Sequence, residues 1–161
     1  MKIKKLILSL IASSLLIACT GDAYTQLQLA AARGEIDLIK KILAQGVDIN
    51  ETNKHGKTAL MLAAGNGKLD AARLLIERKA NINAQEIDGM TALMMAASDG
   101  KTEAVKLLIK KGADVNIRNN YGATAMTNAA FFNHPDTVQA ILNGKQKVDT
   151  ETNENALLIT A

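Results

Sequence analysis

Few residues in this 161-residue chain could carry out catalysis or bind a metal ion, since it contains only two histidines and one cysteine. Neither His55 nor His134 belongs to an H-E-x-x-H zinc motif, and neither stands beside a nucleophile motif. His55 is predicted at an exposed turn. His134 directly precedes Pro135, which favours the start of a helix. We therefore predict that the protein is not an enzyme and has no cofactor and no metal site.

Two Gly-Lys-Thr triplets, at residues 56–58 and 100–102, look like the end of a phosphate-binding loop. Such a loop also needs a glycine five positions before the glycine of the triplet, so that the backbone can curve around the phosphates. Those positions hold Glu51 and Met95. The triplets therefore do not predict nucleotide binding.

Asparagine and aspartate recur in pairs that could supply oxygen ligands to a cation. The pairs are Asp48 with Asn50, Asn81 with Asn83, and Asp114 with Asn116. Each pair falls in a polar stretch between apolar segments, where such side chains usually accept hydrogen bonds from the local backbone. We interpret the pairs as turn-forming residues and not as metal ligands.

These residues recur because the chain repeats itself every 33 residues. The spacing is carried by three sets, which are Gly56, Gly89 and Gly122, then Thr58, Thr91 and Thr124, then Ala59, Ala92 and Ala125. A fixed period between 20 and 50 residues is typical of a solenoid, in which each unit buries its apolar face against its neighbours.

Each repeat contains the signals of two short helices. A threonine is a good N-cap for an alanine-rich helix, and Gly67 and Gly100 stand where that helix should end in a left-handed turn. A second helix then places apolar residues such as Val105 and Leu108 on one stripe. Gly112 should end the second helix, and Lys79 holds this place one repeat earlier. The chain is thus predicted to be helix, turn, helix and loop, four times over.

The repeats resemble the ankyrin family. The family pattern G-x-T-P-L-H-x-A-A appears as GKTALMLAA, GMTALMMAA and GATAMTNAA, and its second-helix pattern appears as GKTEAVKLLIKKGADVN in residues 100–116. The resemblance covers residues 24–161. It implies an all-α ankyrin-repeat solenoid of about four helix-turn-helix repeats, with short hairpin loops and a truncated C-terminal cap.

The resemblance also predicts where each repeat begins and ends, and it identifies positions at which this chain differs from the family pattern. Repeats are expected at about residues 24–53, 54–86, 87–119 and 120–152, with a partial repeat at 153–161. The family's proline is replaced by alanine. Its histidine is replaced by Met61, Met94 and Thr127, which should weaken the polar network at the helix start. The final NALLITA either packs back on repeat four as a short cap or leaves the solenoid unfinished.

The first residues, MKIKKLILSLIASSLLIACT, are typical of an export signal, because a positive stretch precedes an apolar core too short to span a membrane comfortably. Residues 16–19, Leu-Ile-Ala-Cys, resemble the bacterial lipobox. This implies removal of residues 1–18, attachment of acyl chains such as palmitate to Cys19, and a lipid-anchored linker at 19–23. The predicted location is the bacterial cell envelope, with Thr20 favouring the periplasmic face of an outer membrane. The alternatives are an ordinary signal cleaved after Ala23, giving a secreted or periplasmic protein, and an uncleaved anchor.

Charge argues against nucleic acid as a partner. The full chain carries 19 Lys and Arg residues against 16 Asp and Glu residues, a net charge of +3. Cleavage would remove Lys2, Lys4 and Lys5, and the mature chain would then have no net charge. Nucleic-acid binding requires a basic surface, so none is predicted.

The ankyrin resemblance implies a non-catalytic protein–protein interaction module that binds a protein partner on its concave side. The lipobox resemblance implies that this module is tethered to the membrane through Cys19, and we expect it to be a monomer. The positions that vary in the family hold Lys54, His55, Lys57, Ile87, Asp88, Met90, Asn120, Tyr121, Phe131 and Phe132. The aromatic and methionine side chains could form one apolar patch, because such side chains are enriched at protein interfaces. The phenylalanines could instead fill space against the shortened fourth loop. Alternative functions are an immunity or inhibitor protein, or an accessory subunit that stabilises an envelope enzyme or stress-response factor.

Overall fold

The computed structural model describes residues 25–144, and helices in this range alternate in antiparallel pairs joined by short turns. The bounds are α1 Gln26–Arg33, α2 Ile36–Ala44, α3 Ala59–Gly65, α4 Leu69–Glu77, α5 Ala92–Ser98, α6 Thr102–Lys110, α7 Ala125–Phe131 and α8 at residues 135–144. No strand occurs between residues 25 and 144. The predicted all-α solenoid is therefore confirmed, whereas the predicted signal peptide and terminal cap lie outside the described residues.

Threonine caps the first helix of each repeat in the described residues, as predicted for Thr58, Thr91 and Thr124. The hydroxyls of Thr25, Thr58, Thr91 and Thr124 each accept a hydrogen bond from the backbone N–H three residues later, at 3.2–3.4 Å. Each bond satisfies one of the N–H groups that a helix leaves without an internal partner. The recurring threonine thus fixes where the first helix of each repeat begins.

The second helices end in a left-handed turn, and one of these turns lacks glycine. Gly46 and Gly112 adopt φ values of 83° and 91° just after α2 and α6. Lys79 adopts φ 70° at the same place after α4. In this conformation Lys79 N–H reaches Ile76 O and Ala80 N–H reaches Leu75 O, both at 3.0 Å. The turn after α4 therefore has the same left-handed backbone conformation as the turns after α2 and α6, although lysine replaces glycine there.

The first helices stack on one another in the order α1, α3, α5, α7 and form an inner layer, and the second helices pack behind them. Burial follows the 33-residue period. Ile42, Leu75, Leu108 and Ile141 on the second helices are all 4% exposed or less. On the first helices, the alanine pairs 30–31, 63–64 and 96–97 are 0–1% exposed and let neighbouring helices approach closely. Stacking between repeats thus builds one continuous core.

The Asp and Asn pairs form a hydrogen-bonded ladder along the stack. Within a pair, the first side chain accepts from the N–H two residues on, as in Asn83 N–H to Asn81 Oδ1 at 3.1 Å. Between repeats, Asn50 Oδ1 accepts from Asn81 N–H at 2.8 Å, and Asn83 Oδ1 accepts from Asp114 N–H at 2.9 Å. The predicted turn role is confirmed, and the side-chain amides of Asn50 and Asn83 also join one repeat to the next.

Among the described repeats, the polar network at the helix start extends to the next hairpin in the first repeat, and in the fourth repeat Thr127 Oγ1 accepts from Thr124 N–H at 2.7 Å. Gln28, which is fully buried, accepts from Thr25 N–H at 3.1 Å and donates through Nε2 to Lys57 O at 2.9 Å. In the second repeat this position is Met61, whose sulfur accepts from Thr58 N–H at 3.4 Å. The network is weakened there, as predicted. Gln28 carries it in the first repeat, which the sequence analysis missed.

Candidate functional site

The hairpins between repeats are shaped by one side chain each. Asn53, Glu86 and Asn119 stand three residues before the hairpin glycines, and in each a single side-chain oxygen accepts two backbone N–H groups at 2.8–3.0 Å. In the last hairpin these donors are Tyr121 and Ala123. The bonds order the backbone of each hairpin tip, and this backbone positions the Cα atoms of the outermost residues.

Neighbouring hairpins are also joined to each other. Ile87 N–H donates to His55 O at 3.2 Å, and Asn120 N–H donates to Asp88 O at 2.9 Å. The Asn120 amide adds a bond from Nδ2 to Ile87 O at 2.9 Å. The approach is close enough that a Cβ on Gly89 would lie 2.7 Å from Asn120 Oδ1. The tips therefore form a continuous, ordered edge.

Most of the predicted binding residues are exposed. Ile87 is 62% exposed and Tyr121 79% exposed at the hairpin tips. Phe131 and Phe132, at the end of α7, are 83% and 53% exposed. The other exposed members of the set are Lys54, His55, Asp88 and Asn120.

Lys57 and Met90 are half-buried and line the base of the hairpins. Met90 Sδ accepts from the side-chain amides of Asn119 at 3.4 Å and Asn128 at 3.5 Å, and the second of these bonds ties it to the fourth repeat. Met90 therefore supports the hairpin, and only part of its side chain is available to a ligand.

A groove runs between the hairpins and the inner helices of the second and third repeats. We call it the concave groove, and its lining residues are Lys57, Met61, Leu62, Gly65, Asn66, Glu86, Asp88, Met90, Met95, Ser98 and Asp99. The Glu86 carboxylate already accepts two backbone bonds. Asp88 and Asp99 are exposed and form no ion pair with the described residues. The groove thus has an apolar, methionine-containing floor and a mainly acidic rim.

The aromatic residues fall into two groups. Phe131 and Phe132 pack edge to face with their ring centroids 5.1 Å apart. Tyr121 makes no ring contact with either within the part of the chain that the structure describes. It precedes α7, whereas the phenylalanines lie at the other end of this seven-residue helix, which is about 10 Å long. One apolar patch would have to run along the whole of α7, and this part of the prediction stays a prediction.

His134 has a structural role that the sequence analysis missed. Its Nε2 lies 3.0 Å from Ser98 O at the end of α5, so it joins the fourth repeat to the third. The hairpin acceptors Asn53, Glu86 and Asn119 were also missed. Their 33-residue spacing was a signal that could have found them.

Cys19, the predicted lipid-attachment residue, lies outside the described residues. Across residues 25–144, the helices are all too short or too polar to traverse a lipid bilayer.

Comparison with known proteins agrees with this architecture. The family model described as ankyrin repeats (3 copies) matches residues 4–86 and 79–154. No curated protein matches the chain. Ankyrin repeats indicate a protein–protein interaction module, and proteins built from them are generally not catalytic. With nearly its whole length matched, this chain belongs to the ankyrin repeat family.

Proposed function

We propose that this protein is a non-catalytic binding module, held at the bacterial envelope by a lipidated Cys19, that captures a protein partner on its hairpin tips, its concave groove and the end of α7. One observation supports the proposal that the protein binds a partner. Tyr121, Phe131 and Phe132 are the aromatic residues of the described range, and all three are exposed on the fourth repeat. Large aromatic side chains normally add to a core, and exposed groups of them usually mark an interface.

The rigid backbone beneath these side chains supports the proposal. Asn119 fixes the hairpin that carries Tyr121 through two bonds, and Asn120 fixes it against the preceding hairpin. A backbone that is already ordered loses little conformational entropy when a partner binds. The arrangement therefore suits recognition of a partner without a large rearrangement.

Envelope anchoring is supported by the lipobox-like sequence at residues 16–19, and the short distance from Cys19 to the fold sets where the first repeat would lie. The helical domain begins at Thr25, the N-cap of α1. Residues 20–24 span at most about 18 Å when fully extended. The first repeat would therefore lie near the membrane surface, which favours a partner in or near the same membrane.

Two experiments test the two halves of the proposal. Cys19→Ser should move the protein from the membrane fraction to the soluble fraction, and persistence of this variant in membranes would contradict lipid anchoring. For the interface, the native lipidated protein is used to capture and quantify a partner from solubilised envelopes. Tyr121→Ser combined with Phe131→Ser should abolish capture of that partner. Leu38→Ser is the matched control, because Leu38 is an apolar residue, 41% exposed, on α2, which belongs to the layer of second helices behind the inner layer. Equal loss with the control variant would overturn the proposed surface.

A further inference from the structure

We propose that the concave groove binds an arginine or lysine side chain of the partner protein. The inference rests on the proposed function, because it names the chemistry of the residue that the partner places in this groove. The groove lies between the second and third repeats and has a volume of about 300 Å³. This volume is at the low end of the range for ligand pockets, about 300–1,000 Å³, and it suits one or two side chains of a larger partner.

The wall formed by the third repeat carries an excess of negative charge. It contributes Glu86, Asp88 and Asp99, whereas Lys57 of the second repeat is the only cation among the described lining residues. Asp88 stands on the hairpin side of the groove, and Asp99 stands on the helix side, at the end of α5. Neither side chain accepts a hydrogen bond or forms an ion pair within residues 25–144. Two exposed carboxylates are therefore available to a cation.

Gly65 leaves open space in front of one of these carboxylates. It is the last residue of α3, and a Cβ built on it would lie 3.3 Å from Asp99 Oδ2. The corresponding residues of the neighbouring repeats are Ala32 and Ser98, which both carry a side chain. The glycine therefore keeps Asp99 Oδ2 accessible from the side of the second repeat.

The floor of the groove suits the aliphatic part of a basic side chain. Met61 is buried, whereas Met90 and Met95 are half-buried and expose part of their side chains. Arginine and lysine bury their apolar stems along such surfaces and keep the charged head beside polar groups. The stem would lie on the methionines, and the cation would lie between Asp88 and Asp99. Arginine fits best, because its planar guanidinium donates several hydrogen bonds to carboxylates.

The acidic wall adjoins the aromatic pair of the fourth repeat, and this predicts what stands next to the basic residue. Asp99 directly follows Ser98, whose carbonyl oxygen lies 3.0 Å from His134 Nε2. His134 in turn follows Phe132 by two residues. An apolar neighbour of the bound arginine would therefore contact Phe131 or Phe132, which are both exposed. The recognised element is a basic residue with an apolar residue beside it.

The test is a selection of phage-displayed random short peptides on the full-length lipidated protein, immobilised in detergent. Peptides with arginine or lysine beside an apolar residue should be enriched. For a peptide from that pool, Asp88→Ala with Asp99→Ala should lower the affinity at least about tenfold, because both charged acceptors are removed. Asp88→Lys with Asp99→Lys should reject the basic peptides and enrich acidic ones instead, because like charges repel across an interface.

Glu77→Lys is the matched control for the charge reversal. Like Asp99, Glu77 is an exposed carboxylate at the C-terminal end of a helix, but it lies on α4 in the layer of second helices. A cation at this end of a helix is favoured by the helix dipole, so Glu77→Lys and Asp99→Lys should both fold. Circular dichroism during thermal unfolding checks this. Glu77→Lys should select the same peptides as the native protein.

Several results would overturn the inference. Selection of acidic peptides, of peptides with no common charge, or of no peptide contradicts a basic ligand. Basic peptides that bind equally well after Asp88→Lys with Asp99→Lys would place their site elsewhere. Dimers of the native protein that the same double variant loses would show that a second copy fills the groove, which also contradicts a basic side chain of another protein.

Capture of the envelope partner separates this inference from the proposed function. If Tyr121→Ser with Phe131→Ser abolishes capture and Asp88→Lys with Asp99→Lys does not, the partner uses the proposed surface without a basic residue in the groove. Only the present inference then fails. Capture retained by both double variants would contradict the proposed function as well.

Discussion

Replacement of Lys79 by glycine should stabilise the protein. Lys79 is exposed at φ 70°, directly after α4, where the neighbouring repeats have Gly46 and Gly112 at φ 83° and 91°. The left-handed conformation costs an L-residue with a Cβ about 1–2 kcal/mol. Glycine also makes the unfolded chain more flexible, which offsets about 0.4–1 kcal/mol of the gain. The expected net increase in the free energy of unfolding is therefore about 0.5–1 kcal/mol.

Thermal and urea unfolding followed by circular dichroism would measure this change. A gain of this size should raise the Tm by about 2–4 °C in a domain of this length. The reciprocal variant Gly112→Lys is the control, since a Cβ on Gly112 meets no heavy atom within 4 Å and only the backbone would oppose it. It should lower the Tm by a similar amount or more. An unchanged or lower Tm for Lys79→Gly, together with an unchanged Tm for Gly112→Lys, would refute the reasoning.

Two other variants separate structural from binding roles. Gln28→Met would copy the second repeat's residue and remove the 2.9 Å bond to Lys57 O, which would keep its 3.2 Å bond from Asn53 N–H, so we expect a loss of about 0.5–1.5 kcal/mol in urea unfolding. Unchanged or increased stability would contradict the role assigned to Gln28. Phe131→Ser with Phe132→Ser should change the free energy of unfolding by no more than about 1 kcal/mol, because both rings are largely exposed. A large loss of stability would instead favour packing against the shortened fourth loop.

The features that could be predicted from the sequence are those set by local chemistry. Thr58 and Thr91 cap helices because a hydroxyl before an alanine-rich segment has a backbone N–H within reach. The side chains of Asp48 and Asn81 fold onto their own turns for the same local reason. The 33-residue period also predicted that successive repeats stack in chain order, because similar units bury corresponding faces against their neighbours.

The hydrogen bonds between repeats could not be predicted, because they depend on how close neighbouring repeats lie after stacking. Gln28 bonds to Lys57 O, which lies in the next repeat, and a glutamine in the sequence does not reveal which carbonyl it will face. The bond from Asn50 to Asn81 likewise exists only once two turns lie side by side. For the binding surface, the structure shows that Tyr121 and Phe131 are exposed, and their role in binding a partner stays a prediction.

Site-specific photocrosslinking in intact cells would test the central claim most directly. A photoreactive amino acid at Tyr121 or Phe131 of the native lipidated protein is compared with the same group at Leu38 or Lys106 on the outer helices. The account predicts a discrete crosslinked protein from the first two positions and none from the control positions. The same adduct from Leu38 or Lys106, with none from Tyr121 or Phe131, would contradict recognition through the hairpin tips and the end of α7.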